Sequence, residues 1–131
     1  MTDLVVISRM RARPDRVGEA ERALRELIEP THAEDGVLGY ALHRGIDDPS
    51  LFFFVERFRD TGAFEKHLDS PHVRAFAAVA GGHFADGPEF DVLESVPGGD
   101  PVKGVLDASI RAEFSTPKTR STRATAAAME G

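Results

Sequence analysis

Apolar and polar positions change period several times along the chain, and each change marks an element. "LVVISRMRA", from Leu4, begins β-branched and apolar and ends by alternating charged with uncharged residues, which predicts a strand. Pro14 suits the first turn of a following helix, where its missing N–H needs no partner. Val17, Ala20, Leu24, Leu27 and Ile28 then recur at helical spacing, with Pro30 and Asp35-Gly36 expected to end that helix. In residues 37–44, Leu38, Tyr40 and Leu42 share one face by period two. "GIDDPS" is a turn, and "LFFFVERFR" (51–59) completes a hairpin. Its run Phe52, Phe53, Phe54, Val55 does not alternate, so both faces of this strand are expected to be covered, the second by a partner subunit.

Asp60-Thr61 caps a short helix reaching His67 or Leu68. Ser70 caps another, with Pro71 at its first position and Val73, Phe76, Ala77, Ala80 and Phe84 as the buried stripe. A last strand is expected from Pro88, with Phe90 and Val92 on one face. The order strand, helix, strand, strand, helix pair, strand predicts an α+β fold. It is the ferredoxin-like split β-α-β, a four-stranded antiparallel sheet with helices on one face.

Composition then narrows the function. The 131 residues carry a net charge of −6 with no clustered basic face, which argues against a nucleic-acid partner. The absence of cysteine excludes disulfides, thiolate metal sites and a cysteine nucleophile. "MTDLVVIS" does not have the form of a signal peptide, and no run approaches the ~18 apolar residues of a membrane span, so a soluble, cytoplasmic protein is expected. The acidic excess lies within residues 1–96, which read as one domain. Residues 97–131 read as an extension, with a possible short amphipathic helix over 102–114 and a disordered end.

Several segments together resemble the antibiotic biosynthesis monooxygenase (ABM) domain, including its quinol monooxygenase group. They are the Pro-Thr-x-Ala-Glu-x-Gly turn at residues 30–36, Gly39-Tyr40, Asp47-Asp48-Pro49, Glu56 with an aromatic two residues later, and His67 with Ser70-Pro71-His72. The resemblance spans roughly residues 3 to 95. It implies a ferredoxin-like fold that dimerises sheet against sheet into an α/β barrel, with a pocket between helices and sheet. It also implies cofactor-independent oxidation of a quinol-like or enolisable aromatic small molecule with O2. Phe58 stands where the family usually has tryptophan. The haem-degrading branch relies on an Asn, Trp and His set, and this chain has neither asparagine nor tryptophan.

A quinol or enol, once deprotonated, is electron-rich enough to reduce oxygen, so the protein must supply a base, a dry pocket and an orientation. His67, one turn after Ala63 and Phe64, is the candidate base, against a structural reading in which it orders the helix junction. Tyr40 is either a donor to substrate or a core aromatic, and Glu56 is either an orienting group or half of an ion pair with Arg44 on the neighbouring strand or with Arg57 of a partner subunit. Phe52, Phe54, Phe58 and Phe64 are the expected aromatic lining, with His72 beside them as a structural or supporting residue. His67 and His72 are five apart across a proline break, not the three or four of a single-helix metal pair, so no metal is expected. Two other readings stay open: an isomerase of a small signalling metabolite using the same pocket, and a non-catalytic ligand-binding or stress-response dimer.

Overall fold

The computed structural model describes residues 4–106. The elements run β1 (Leu4–Ala12), α1 (Val17–Arg25), α2 (Ile28–His32), β2 (Val37–Arg44), β3 (Leu51–Phe58), α3 (Thr61–Leu68), α4 (Pro71–His83) and β4 (Phe84–Leu93). The strands lie in the order β2-β3-β1-β4 with every neighbouring pair antiparallel. This is the ferredoxin-like α+β architecture that the element order predicts. Among the described residues no helix is long and apolar enough to cross a membrane.

Alternation along the strands sends Met10, Ala12, Tyr40, Phe52 and Phe54 to the helix side, where they meet Ala20, Leu24 and Leu27 and, from α4, Val73 and Phe76. A second cluster joins Leu4, Val6, Phe58 and Val92 to Ala63 and Phe64 of α3. The opposite face carries Ile7, Phe53 and Val55, which remain only half-buried. Among the described residues, the apolar run of β3 is therefore covered by helices on one side alone.

Four expectations shift. The first helix ends at Arg25, before Pro30, which sits inside α2. A proline ring cannot tolerate the carbonyl four residues back, so the helix breaks near Glu26 and restarts with Pro30 in its first turn. Pro14 belongs to the turn ahead of α1, not to the helix. In β2 the register slips between Val37 and Gly39, which leaves Leu38 exposed while Val37 packs on the core. The last strand starts at Phe84, not Pro88, so Phe84 is buried as a strand residue and Ala77 is exposed on α4.

Two caps match the sequence reading. The Asp60 side chain accepts from Ala63 N at 2.9 Å, and Ser70 Oγ accepts from Val73 N at 3.4 Å with Pro71 at the first position of α4. Residues 101–104 form a turn, and Val102 and Leu106 are exposed. The rest of the 102–114 segment and the tail beyond it lie outside the described residues.

Candidate functional site

A cleft opens between the helix layer and the sheet. Its polar floor comes from three adjacent strands: Ser8 of β1, Glu56 of β3 and Tyr40 of β2, the last two directly opposite each other in register. Phe54 and Met10 complete the floor, His67 and Leu68 close it from α3, and Val73 and Phe76 wall it from α4. Counting the mouth, the unfilled space is about 350 Å³, but the part into which a water-sized molecule fits is only about 30 Å³. That holds one or two waters, whereas a single benzene ring occupies an apolar cavity of about 150 Å³.

His67 reaches this position by simple periodicity. α3 buries Ala63, Phe64 and His67, three or four residues apart and so on one face. Its ring packs between Tyr40 and Phe58, with both centroids at 5.4 Å. Nδ1 lies 2.9 Å from Glu34 Oε2. A carboxylate oxygen accepts, so Nδ1 carries the proton and the Nε2 lone pair is left free. Among the described residues Nε2 has no hydrogen-bond partner. Burial lowers the pKa of His67 below its ordinary 6.5, and the hydrogen bond and charge of Glu34 oppose that only in part. The ring is therefore neutral at neutral pH.

Glu34 sits in the tight turn between α2 and β2, held by Glu34 N to Thr31 O (3.0 Å) and by Val37 N to Glu34 O (3.2 Å). Gly36 keeps this turn against α3, because a Cβ there would lie 2.3 Å from the Ala63 Cβ. The same Glu34 oxygen is 2.7 Å from His72 Nε2, whose other close contact is Ser70 Oγ at 3.3 Å. His72 does not border the cleft. The spacing argument that separates the two histidines fails in space: the proline junction folds back, the rings come within 6.1 Å, and both point at one carboxylate. Glu34, His67 and His72 thereby bring three potential metal-donor atoms within 4.8 Å of one another.

The remaining polar groups are neutral donors. Burial raises Glu56 to about 8, partly offset by the hydrogen bond from Ser8 Oγ to its Oε2 (3.1 Å). It makes no ion pair with Arg44, which binds Glu21 at 2.6 Å. The other oxygen, Oε1, is buried without a partner. Glu56 is thus a carboxylic acid at neutral pH, with hydrogen-bonding capacity unspent at the floor of the cleft. Burial first, and the Glu56 charge second, raise Tyr40 well above its ordinary 10, so its phenol keeps its proton. Its ring stacks on Phe54 at 4.2 Å.

Of the expected aromatic lining only Phe54 borders the cleft. Phe58 and Phe64 belong to the second core cluster, and Phe52 lies under a separate surface groove. Phe90 and Pro88 of β4 contribute instead. Sequence reasoning also missed Glu34 and Ser8. Ser8 had a signal, a lone hydroxyl on the Leu4, Val6, Met10 face of β1. Glu34 lies inside the Pro-Thr-x-Ala-Glu-x-Gly turn, but its partners are 33 and 38 residues away and no local spacing announces them.

Comparison with known proteins agrees with the fold and the motifs. The family model described as "Antibiotic biosynthesis monooxygenase" matches residues 3–79. A Mycobacterium tuberculosis protein named "Putative monooxygenase Rv0793" is 37% identical over 78 residues, covering 60% of this chain and 76% of that protein. The solved structure of Rv0793 superposes with a TM-score of 0.68 at 30% identity, over 76% of this chain and 98% of the other. The crystal structure of PA3566 from Pseudomonas aeruginosa gives 0.65 at 32% identity, over 70% and 90%. The chain belongs to the antibiotic biosynthesis monooxygenase family.

Proposed function

We propose that this protein is a monooxygenase that uses O2, without metal or flavin, to oxidise a quinol-like or enolisable aromatic small molecule. The observation that carries the reading is the neutral His67, with Nδ1–H held on Glu34 and Nε2 free. His67 is the general base, and Glu56 and Tyr40 are donors to the substrate oxygen. A neutral carboxylic acid beside a buried phenol is an arrangement suited to an enolate oxyanion, whose charge it stabilises without reorganising.

For a ring methylene the chemistry closes without an added reductant. Nε2 takes one proton, and the enolate passes an electron to O2. The resulting radicals join as a C–OOH bond. Loss of the second C–H with cleavage of O–O gives the carbonyl, and the remaining oxygen leaves as water. A quinol O–H enters the same way through its phenolate. Such a base contributes on the order of 10²–10⁴-fold.

The small free space in the cleft favours a second reading, proton transfer alone on a small metabolite, an isomerase using the same base and donors. An aromatic substrate requires the walls to part or the ring to sit in the mouth. Oxygen uptake with a panel of single-ring quinols, naphthoquinols and anthrones, after chelator treatment, separates the two. Turnover that consumes O2 and drops at least 100-fold in His67→Ala supports the oxygenase. Conversion of substrate without O2 consumption supports the isomerase, and unchanged turnover in His67→Ala removes His67 from both.

A further inference from the structure

The hydrogen bonds that Glu34 receives also place three donor atoms around one point. Glu34 Oε2 is 2.9 Å from His67 Nδ1 and 2.7 Å from His72 Nε2, and all three lie within 4.8 Å of one another. With bonds of ~2.0–2.1 Å, neighbouring ligands of a tetrahedral zinc ion sit about 3.4 Å apart. The donors therefore need to separate from Glu34 by roughly 0.5–0.7 Å, and the two ring nitrogens, at most 4.8 Å apart, need to close by up to ~1.4 Å. Two imidazoles and one carboxylate form a nitrogen-rich set that suits zinc and its neighbours over calcium or magnesium, and three protein ligands leave a fourth position for water. An entry path exists from the surface, because the side chains of Glu34 and His72 are 18% and 19% exposed while that of His67 is 5%.

We infer that Glu34, His67 and His72 bind one divalent ion of the zinc class, and that the bound ion silences His67 as a base. The second half rests on the reaction proposed above; the first does not. The link is a single proton. A neutral imidazole carries one, and without the ion it sits on Nδ1, facing Glu34, with the Nε2 lone pair free. An ion at this site takes the Nδ1 lone pair, so the proton moves to Nε2 and no lone pair remains there. His72 shifts its proton to Nδ1 in the same way. Ion and base activity are then mutually exclusive states of one ring, and a metal-independent active site gains an inhibitory ligand.

The test titrates chelator-treated, full-length protein with zinc chloride by calorimetry and reads the histidine 15N shifts by NMR in parallel. We expect one ion per chain and one histidine passing from the Nδ1–H to the Nε2–H tautomer. Binding should weaken at least tenfold in Glu34→Gln and in His72→Ala, with folding checked by circular dichroism. His43→Ala, at an exposed position away from the cluster, should leave binding unchanged. If one variant does not fold, the other variant and the wild-type tautomer decide. Absence of binding, binding that survives both substitutions, or binding without the tautomer change overturns the site. None of these readouts uses a substrate, so their failure leaves the proposed reaction standing. Zinc that binds as described but does not slow wild-type turnover overturns the silencing alone.

Discussion

Glu56 and Glu34 show how burial gives two carboxyls of one domain opposite duties. Glu34 is fixed by a turn at the edge of the cluster and accepts from two imidazoles, whereas Glu56 is pushed to about 8 by burial and is itself a donor. The shift of Glu56 has a sign that stability must reveal. Unfolded, it ionises near 4.5; folded, it keeps its proton until about 8. Between those values the unfolded state has released a proton that the folded state retains, so the Glu56 contribution is fully present below pH 4.5 and is lost as pH rises through the window, by up to ~1.4 kcal/mol per pH unit. Glu56→Gln keeps the shape and removes the titration. Its urea midpoint should match wild type at pH 4 and exceed it at pH 9; a constant difference would contradict a raised Glu56. Glu34→Gln should act on catalysis, because its amide can donate to Nδ1 and impose the tautomer with a proton on Nε2. The expected effect is a fall in kcat on the order of 10²–10⁴-fold with KM nearly unchanged. Loss of affinity without loss of kcat would place Glu34 outside the base.

At the scale of elements, the site depends on the Glu34 turn being pressed against α3. Gly36 is the point of contact, since an added methyl would meet the Ala63 Cβ at 2.3 Å. Gly36→Ala should cost about 1–3 kcal/mol through overpacking and should weaken catalysis by moving His67 from Glu34. Gly18, in α1 with nothing within 4 Å of its added Cβ, is the control, and Gly18→Ala should stabilise by up to ~1 kcal/mol. Thermal melts of both variants check the pair. These contrasts also show what a sequence discloses. Period two and the Asp60 and Ser70 caps are local signals, so β1, β3, α3 and the start of α4 were legible from residues close together in the chain. The face that carries Tyr40, Glu56 and His67 followed from the same periodicity. The meeting of Glu34 with His67 and His72 did not, because a turn, a helix end and a proline junction come together only through the tertiary fold. Phe52 and Phe58 lie away from the cleft for a related reason: Phe52, Phe54 and Phe58 share one face of β3, yet only the packing of α3 and α4 decides which stretch of that face stays open.

For the whole molecule, the face of the sheet that no described helix covers is the surface to test. Ile7, Phe53 and Val55 are half-buried there, and the family resemblance implies sheet-to-sheet pairing. We propose that this face forms the homodimer and that residues 1–96 are the folding unit. Phe53→Glu should convert the dimer to a monomer in sedimentation velocity, because it places a charge where apolar surface is to be buried. A chain ending at Val96 should remain a folded dimer; an unfolded or monomeric truncation would assign the extension a structural role.

In the proposed reaction His67 Nε2 removes a proton from a substrate in the cleft, whatever follows. The most direct measurement is deuterium exchange at the ring methylene of an enolisable aryl ketone, in D2O without oxygen, on chelator-treated protein. Exchange faster than in buffer, falling at least 100-fold in a folded His67→Ala variant, is expected if His67 is the base. Exchange at the buffer rate, or exchange that persists unchanged without the His67 imidazole, would contradict it.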